Sequence, residues 1–528
     1  MPIAEWVSVL VGNRLNDENV MTASSGMSKS KSGRGASRIL LVLVLLSGHS
    51  SVALAVDGSF DPTWAGGGSI VFSGDPTSSS NSTYVEQIIV ESNGRLLIGG
   101  PDYAGISLTT WFVGELQPGG TPVLTFGASN GSGMVSGCYL ASALCNPSGD
   151  DYSSMAMQSD GRFGVLGGGN LVRLSATASA LDTAGVVGGS GYVALGNIQI
   201  NDVKGSFGTA YDAVQTASGK WLAAGRGTYS QVDMNGGLAV IQLNSDFPLD
   251  SAFAAYTDTN SVTFAGGQVI MFGSGASELN GYAQQVLVQN DGRILLVGLV
   301  YLPPGAADTS RPDITSTETA IARLNADGTP DLTYGAGTGK VMLAWSGGTL
   351  SAPSFRAAKL DAKGRLLFAT TASPTATGLA GFGVARVLDD GTLDPGFGSA
   401  GVSYHTSPLC TNGAGATALA FDSAGRIVVA GFCEFGVSSQ EFLLERLHGD
   451  DGTLDTGFGI GGFSHGAFSG TSTSDFASDI VIDASGHPVF GGASYPTPAG
   501  SAAVGRVTYD LIRTNGFEAA PTGRLPGQ

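Results

Sequence analysis

Basic residues are scarce in this chain: 25 Lys and Arg stand against 43 Asp and Glu, a formal net charge of −18. Such a surface repels a polyanion at long range, which argues against nucleic acid as a partner. Long apolar runs are missing too. The unbroken run Ile39–Leu46 spans eight residues, short of the roughly 20 that cross a bilayer as a helix, so no transmembrane anchor is expected. Cysteine and histidine number four and five, with no C-x-x-C, H-x-x-x-H or H-E-x-x-H spacing, which removes the common zinc sites. Charged residues make up 13%, about half the usual share of roughly 25%. With 42% hydrophobic residues the chain can still bury a core, so the low charge does not signal disorder. No long stretch of the chain body repeats apolar residues at i, i+3, i+4 and i+7; short alternating or apolar runs bounded by Gly, Asp, Asn and Ser predict an all-β protein.

Glycine is abundant, 82 of 528 residues, about twice the usual share of roughly 7%, and implies many tight turns. The first 55 residues read differently from the rest. Lys29, Lys31, Arg34 and Arg38 precede the apolar run, and Ala53-Leu54-Ala55 follows it, which is the order of an export signal cleaved between Ala55 and Val56. Counted from Met27 the signal has 29 residues, inside the usual range of about 15–30. No cysteine follows the cut, so a lipid anchor is not expected. Removing 1–55 leaves 20 basic against 40 acidic residues. The four cysteines fall into two pairs close in sequence, Cys138 with Cys145 and Cys410 with Cys433, and an oxidising periplasmic or extracellular compartment lets both close as disulfides. Cys410 and Cys433 flank a hairpin centred on Gly425, so they emerge at the same end of it and come within bridging distance.

Two motifs alternate along the remainder. One is a turn, clearest in "VLDDGTLDPGFGSAGV" (387–402), "HGDDGTLDTGFGIGG" (448–462), "DGTPDLTYGAGTG" (327–339) and "DGSFDPTWAGGG" (57–68), and worn at 119–131, 181–185 and 248–253. The other is a hairpin: "SNGRLLIGG" (92–100), "SDGRFGVLGG" (159–168), "ASGKWLAAG" (217–225), "NDGRILLVG" (290–298), "AKGRLLFA" (362–369), "SAGRIVVAG" (423–431) and "ASGHPVFGG" (484–492). The hairpin glycines, Gly94 to Gly486, recur every 65 residues or so, room for four strands per unit. In the sixth unit the strands are expected at Gly401–His405, Ala418–Asp422, Arg426–Ala430 and Phe442–His448. A four-stranded sheet with two apolar faces must stack on others, and a ring of them is a β-propeller. The chain opens on the turn motif and closes on "AAVGRVTYDLI" (502–512), a strand lacking its turn. Pairing the ends predicts seven four-stranded blades over 56–512, closed by both ends, with 1–55 as N-terminal extension and signal and 513–528 as a tail.

The alternation of "ARLNADGTPDLTYGAGTG" with "VLVQNDGRILLVGL" resembles the delta-60 repeat of exported bacterial proteins, classed as a β-propeller of unknown function. The resemblance covers roughly 57–510 and departs in units two and three, where Val123 replaces the turn's aspartate and inserts are long. It implies the fold and the address, and no catalytic residues.

Candidate chemistry is sparse. Arg95, Arg162, Lys220, Arg293, Arg365 and Arg426 follow the hairpin glycine, and Arg173, Arg323, Arg386, Arg446 and Arg506 lie in the fourth strand of each unit. Charges that obey the repeat are expected to pair with the turn aspartates Asp61, Asp182, Asp250, Asp331, Asp394 and Asp455. Gly127-Ala128-Ser129-Asn130-Gly131 spells G-x-S-x-G but lies in the repeat turn, without the strand-to-helix setting of a nucleophile elbow. His405, His448, His465 and His487 show no catalytic spacing. Calcium is the one metal left open, at Asp389, Asp390 and Asp394 or Asp450, Asp451 and Asp455, although Asp at such turns also bonds its own backbone. Trp64, Trp111, Trp221 and Trp345 lie in or beside the repeat, which assigns them to core packing. The inserts Pro101–Thr109, Ala128–Asp151, Gly225–Gly236 and Tyr301–Thr319 escape the repeat and are where specificity belongs. No other cofactor is expected. The sequence points to a secreted or periplasmic scaffold, without catalysis, that binds a protein or glycan of the envelope or exterior. The alternative is a lyase or glycosidase using carboxylates at the central funnel.

Overall fold

The computed structural model describes residues 57–509 apart from 73–82, 104–108, 128–132, 137–151, 168, 184–189, 197, 201–204, 229–235, 255–260, 265, 274–278, 303–316, 344–348, 351–357, 374–378, 436–438, 470–473 and 496–499. Its described residues form strands and no helix, arranged as seven antiparallel sheets in a ring: a seven-bladed β-propeller. The four strands of blade one, from the axis outward, are Gln87–Val90, Leu96–Tyr103, Thr109–Leu116 and Met134–Ser136. Blade two has Tyr152–Met157, Phe163–Gly167, Asn170–Leu174 and Tyr192–Ala194. Blade four has Gly281–Val288, Ile294–Tyr301, Thr317–Leu324 and Lys340–Leu343, and blade six has Gly413–Phe421, Ile427–Glu434, Gln440–Leu447 and Phe463–Gly466.

Two blades exceed four strands. Blade three adds Ile198–Ile200 and Ser261–Phe264 at the edges of Gly205–Gln215, Trp221–Thr228, Gly236–Leu243 and Gly267–Ile270. In blade five both Thr349–Leu350 and Ala358–Leu360 pair with Leu366–Ser373, followed by Gly381–Val387 and Val402–His405. Blade seven joins the chain ends: Asp475–Ile482, Pro488–Ser494 and Ser501–Arg506 are completed by Ser69–Val71. Ile70 lies opposite Val504, and Phe60 bridges Val507. The expected closure is therefore present, and the outer edge of the last blade is filled by the first strand of the chain.

The phase of the repeat differs from the expectation. Val402–His405 is the outer strand of blade five, paired with Phe382–Ala385, and does not open blade six. The reason lies in the turn motif before it: segment 388–401 folds back so that the chain returns antiparallel onto the strand it has just left, whereas segment 406–412 carries it to the next sheet. Blade six begins at Gly413.

Consecutive antiparallel strands put their connections at alternate ends, so the ring has two unlike faces. All first-to-second hairpins and third-to-fourth turns lie on one, the turn face. The second-to-third connections and the crossings between blades lie on the other, the insert face. Part of the sequence inserts is strand: Tyr103 and Thr109, and Gly225–Thr228, extend the ladders toward this face.

The turn face is stitched blade to blade. All seven hairpin glycines have φ between +77° and +87°, a left-handed conformation that glycine adopts without steric cost. Gly335 N–H donates to Asp390 O, Gly398 N–H to Asp451 O and Gly459 N–H to Asp57 O, each in the next blade's turn. The aromatic of one turn packs under the glycine of the next, so a Cβ on Gly391 would lie 2.9 Å from the Tyr334 ring and one on Gly452 2.7 Å from Phe397. Blade two has no aromatic three residues after Asp182, where Gly185 stands. Phe247 sits at the glycine position of blade three, with φ +78°, and its ring lies 5.6 Å from the Arg173 guanidinium carbon. The missing ring is thus supplied from the neighbouring blade. Between the faces, apolar side chains fill the seams; Leu222, Val240, Val286, Leu296 and Ala322 are buried between blades three and four, the leucines and valines each contributing about 1.5–3 kcal/mol when fully buried.

Candidate binding face and central channel

The expected arginine–aspartate pairing is present throughout the turn face. Arg173 pairs with Asp182, Arg323 with Asp331, Arg386 with Asp394, Arg446 with Asp455 and Arg506 with Asp61. Lys220 reaches Asp250, Arg95 reaches Glu115, and Arg162, Arg293, Arg365 and Arg426 add second cations to their turns. Burial alone would raise Asp331, but hydrogen bonds from Thr333 and the charges of Arg323 and Arg293 outweigh it and hold the carboxyl down at about 2. The calcium candidates are committed to the same network. Asp390 and Asp451 each accept from a threonine two residues on, Asp389 meets Arg323 and Arg293, and Asp394 and Asp455 meet arginines. Among the described residues no three acidic, histidine or cysteine side chains gather as a metal site.

The other sequence candidates are placed as follows. Cys410 and Cys433 form a disulfide with Cα atoms 5.3 Å apart. Cys433 lies inside the second strand of blade six, opposite Ala414. Cys138, Cys145, Ala55, Val56 and Trp345 lie outside the described residues, as does most of the G-x-S-x-G stretch. Trp64, Trp111 and Trp221 are fully buried. Each histidine neighbours a carboxylate: His405 lies 2.6 Å from the buried Glu445 across the seam of blades five and six, His465 bonds Glu441 and His487 lies 3.9 Å from Asp483, while the charge of His448 acts on Asp451 and Asp455. Burial pushes Glu445 up, and the His405 contact pulls it partly back.

The sequence did not single out a ring of side chains around the channel. The first strands of blades two, three, four, six and seven carry a β-bulge, and the residue after it turns toward the next blade. In blades two, three, four and seven it accepts a backbone N–H from the neighbouring first strand, as Gln87 does from an unbulged ladder in blade one, while blade six has Ala418 there. Ile88 donates to Asp479 Oδ2 (2.7 Å), Met155 to Gln87 Oε1 (2.6 Å), Ala213 to Ser154 Oγ (3.0 Å), Val286 to Asp212 Oδ2 (2.9 Å) and Ala358 to Gln285 Oε1 (2.6 Å). A signal exists in hindsight: every acceptor stands seven residues before its hairpin glycine, where blades five and six have Ala357 and Ala418.

The ring lines a cavity of about 90 Å³ together with Glu86, Tyr211, Gln284 and Lys359. At about 30 Å³ per water it holds some three waters, and it falls well below the roughly 300 Å³ of a small-molecule pocket. Burial pushes Asp212 up to about 6, against hydrogen bonds from Val286, Ser154 and Ala213 and the charge of Lys359. Burial also raises Asp479, with Lys359 opposing. Around the channel mouth on the insert face stand two aromatic groups. Tyr211, Tyr282 and Tyr301 join blades three and four, with ring centroids 5.0 and 6.2 Å apart. Tyr84, Phe476 and Tyr495 join blades one and seven at 5.9 and 6.2 Å. Tyr301 is 42% exposed.

No curated protein matches this chain. Solved structures that resemble it include a protein of unknown function from Dyadobacter fermentans, 9% identical with a TM-score of 0.42, covering 84% of this chain and 98% of that one. A soluble aldose sugar dehydrogenase from Escherichia coli is 12% identical with a TM-score of 0.32, covering 68% and 97%. An endo-arabinase from Bacteroides thetaiotaomicron is 12% identical with a TM-score of 0.31, covering 72% and 99%. A family model described as a domain of unknown function (DUF5122) beta-propeller matches residues 313–334, a segment that includes the third strand of blade four and the start of the Asp331 turn after it.

Proposed function

We propose that this protein is an exported binding scaffold of delta-60-type repeats, without catalysis of its own, that engages a protein or glycan of the envelope or exterior through its insert face. The observation that carries this is the division of labour between faces. The turn face spends its charges and turn backbones on holding blades together, while the strand ends that lead into the sequence inserts, and two aromatic groups, lie on the opposite side. Tyrosines suit such a surface because they offer large contact area and a polar tip at low entropic cost.

The carbohydrate-active reading draws on Asp212 and Asp479, whose raised affinity for protons suits acid–base work. Each, however, is an acceptor in the ring of inter-blade hydrogen bonds, and the cavity between them has no room for a sugar.

The test is capture from an envelope and culture-supernatant fraction, comparing the exported protein with Tyr301→Ala/Tyr495→Ala and with the turn-face variant Leu332→Ala. Loss of a captured partner or glycan in the first variant alone supports the reading. Turnover of a glycan by the native protein, abolished in Asp212→Asn, overturns it. N-terminal sequencing of the exported chain is expected to begin at Val56; retention of residues 30–50 would contradict export by cleavage.

A further inference from the structure

Six of the seven hairpins place Arg or Lys directly after their glycine, and the seventh, in the closing blade, places His487 there. In the regular blades two cations meet two aspartates. Arg162 and Arg173 hold Asp160 and Asp182, Arg365 and Arg386 hold Asp361 and Asp394, and Arg426 and Arg446 hold Asp422 and Asp455. Blade seven keeps both aspartates, Asp483 and Asp61, but a single arginine. Arg506 serves both, at 2.9 Å from Asp483 and 2.7 Å from Asp61, while His487 turns Nδ1 to Ser485 Oγ at 3.0 Å.

This sharing has a consequence at the seam with blade one. Elsewhere the third-strand arginine reaches the next blade's turn: Arg173 bonds Ser245 O, and Arg386 bonds Gly449 O and Asp450 O. Arg506, drawn onto Asp483, makes no such bond among the described residues. A groove of about 700 Å³ lies there, lined by Asp61, Asp483, Ser485, His487 and Arg506 of the closing blade and by Asn93 of blade one.

We propose that this groove binds a guanidinium-bearing ligand, the incoming group taking the role that the hairpin arginine plays in the other blades. With His487 neutral, the two carboxylates outnumber the one permanent cation by a unit charge. The hydroxyls nearby already donate inward, Thr63 to Asp61 and Ser485 to Asp483, so what they still offer a ligand is oxygen lone pairs. A planar group rich in N–H donors fits such a lining, and the guanidinium fork matches carboxylates two bonds at a time. The volume lies in the range of small-ligand sites. The site is on the turn face and does not depend on the function proposed for the other side.

The test is isothermal titration calorimetry of the exported chain with agmatine at pH 8 and low salt. Saturable binding is expected, weakened at least about tenfold in His487→Arg, which restores the side chain of the other hairpins, and unchanged within about twofold in Leu332→Ala, an exposed turn-face residue outside the groove. Asn93→Trp, which obstructs the groove from blade one, should weaken binding likewise and serves if His487→Arg does not fold. n-Butylamine, of like charge without the fork, should bind at least about tenfold more weakly. Absence of saturation with the native chain, equal affinity in the occluded variants, or equal affinity for the amine would each overturn the assignment.

Discussion

On the turn face nearly every blade uses the same parts: a glycine at φ near +80°, an arginine on an aspartate, an aromatic ring under the neighbour's glycine. On the insert face no two blades are alike. Both faces are made from the same strands, so the difference is not one of scaffold but of which connections the ring must satisfy. Where turns from adjacent blades touch, each must fit the next, and a change in one is felt in two; the loss of the aromatic in blade two is met by Phe247 from blade three. At the ends of the strands on the opposite side, the sequence of the connections follows no repeat. The comparison teaches that in this molecule regularity marks mechanical work, and that the proposed recognition is to be sought where the repeat is broken.

The largest expected effect tests the mechanical side. Arg386→Ala leaves Asp394 buried with a weakened partner and removes two bonds to blade six, so urea unfolding should show a loss of about 3–5 kcal/mol. A loss below about 1 kcal/mol would mean that the network is ornamental. Next comes the tie at the other face. The disulfide closes Cys410 to Cys433 over a sequence separation of 23, and Cys410→Ser/Cys433→Ser should cost about 3 kcal/mol, read as a lower melting temperature that reductant no longer shifts.

The channel, between the faces, should show a pH signature. Asp212 binds its proton more tightly folded, at about 6, than unfolded, at about 3.9. Its contribution is therefore full below about pH 4 and lost as pH rises through 6, about 3 kcal/mol in all. Asp212→Asn keeps an acceptor for Val286 and should flatten that part of the stability profile; an unchanged slope would place the effect elsewhere. The smallest effect on stability belongs to the insert face. Tyr301→Ala should change unfolding by less than about 0.5 kcal/mol while reducing partner capture, and a large destabilisation would show that the aromatic groups are structural after all.

Much of this was readable before any coordinates. Asn-Gly, Asp-Gly and Ser-Gly hairpins at a fixed period define strands locally, and complementary half-motifs at the two ends imply closure, so seven blades and the pairing of Val507 with the first turn followed from the sequence. The arginine–aspartate pairs were readable because they obey the repeat, and the Cys410–Cys433 bridge because both residues flank one hairpin. His487 as the one departure from Arg or Lys in the hairpin series was present in the letters, but the groove beside it was not.

What the sequence by itself determined is local: turn chemistry, strand alternation and the period, each fixed by the conformational preferences of a few adjacent residues. Tertiary structure decided whatever depends on a neighbour in the ring. It assigned Val402–His405 to blade five, because the turn motif at 388–401 returns the chain onto the strand just left. It made acceptors of Gln87, Ser154, Asp212, Gln285 and Asp479, because the first strands aim each, the last four after a bulge, at an N–H some 60 to 75 residues on, or across the closure of the chain. And it divided the molecule into a bound face and a free one, since only the packing of seven twisted sheets around an axis determines which connections touch and which project.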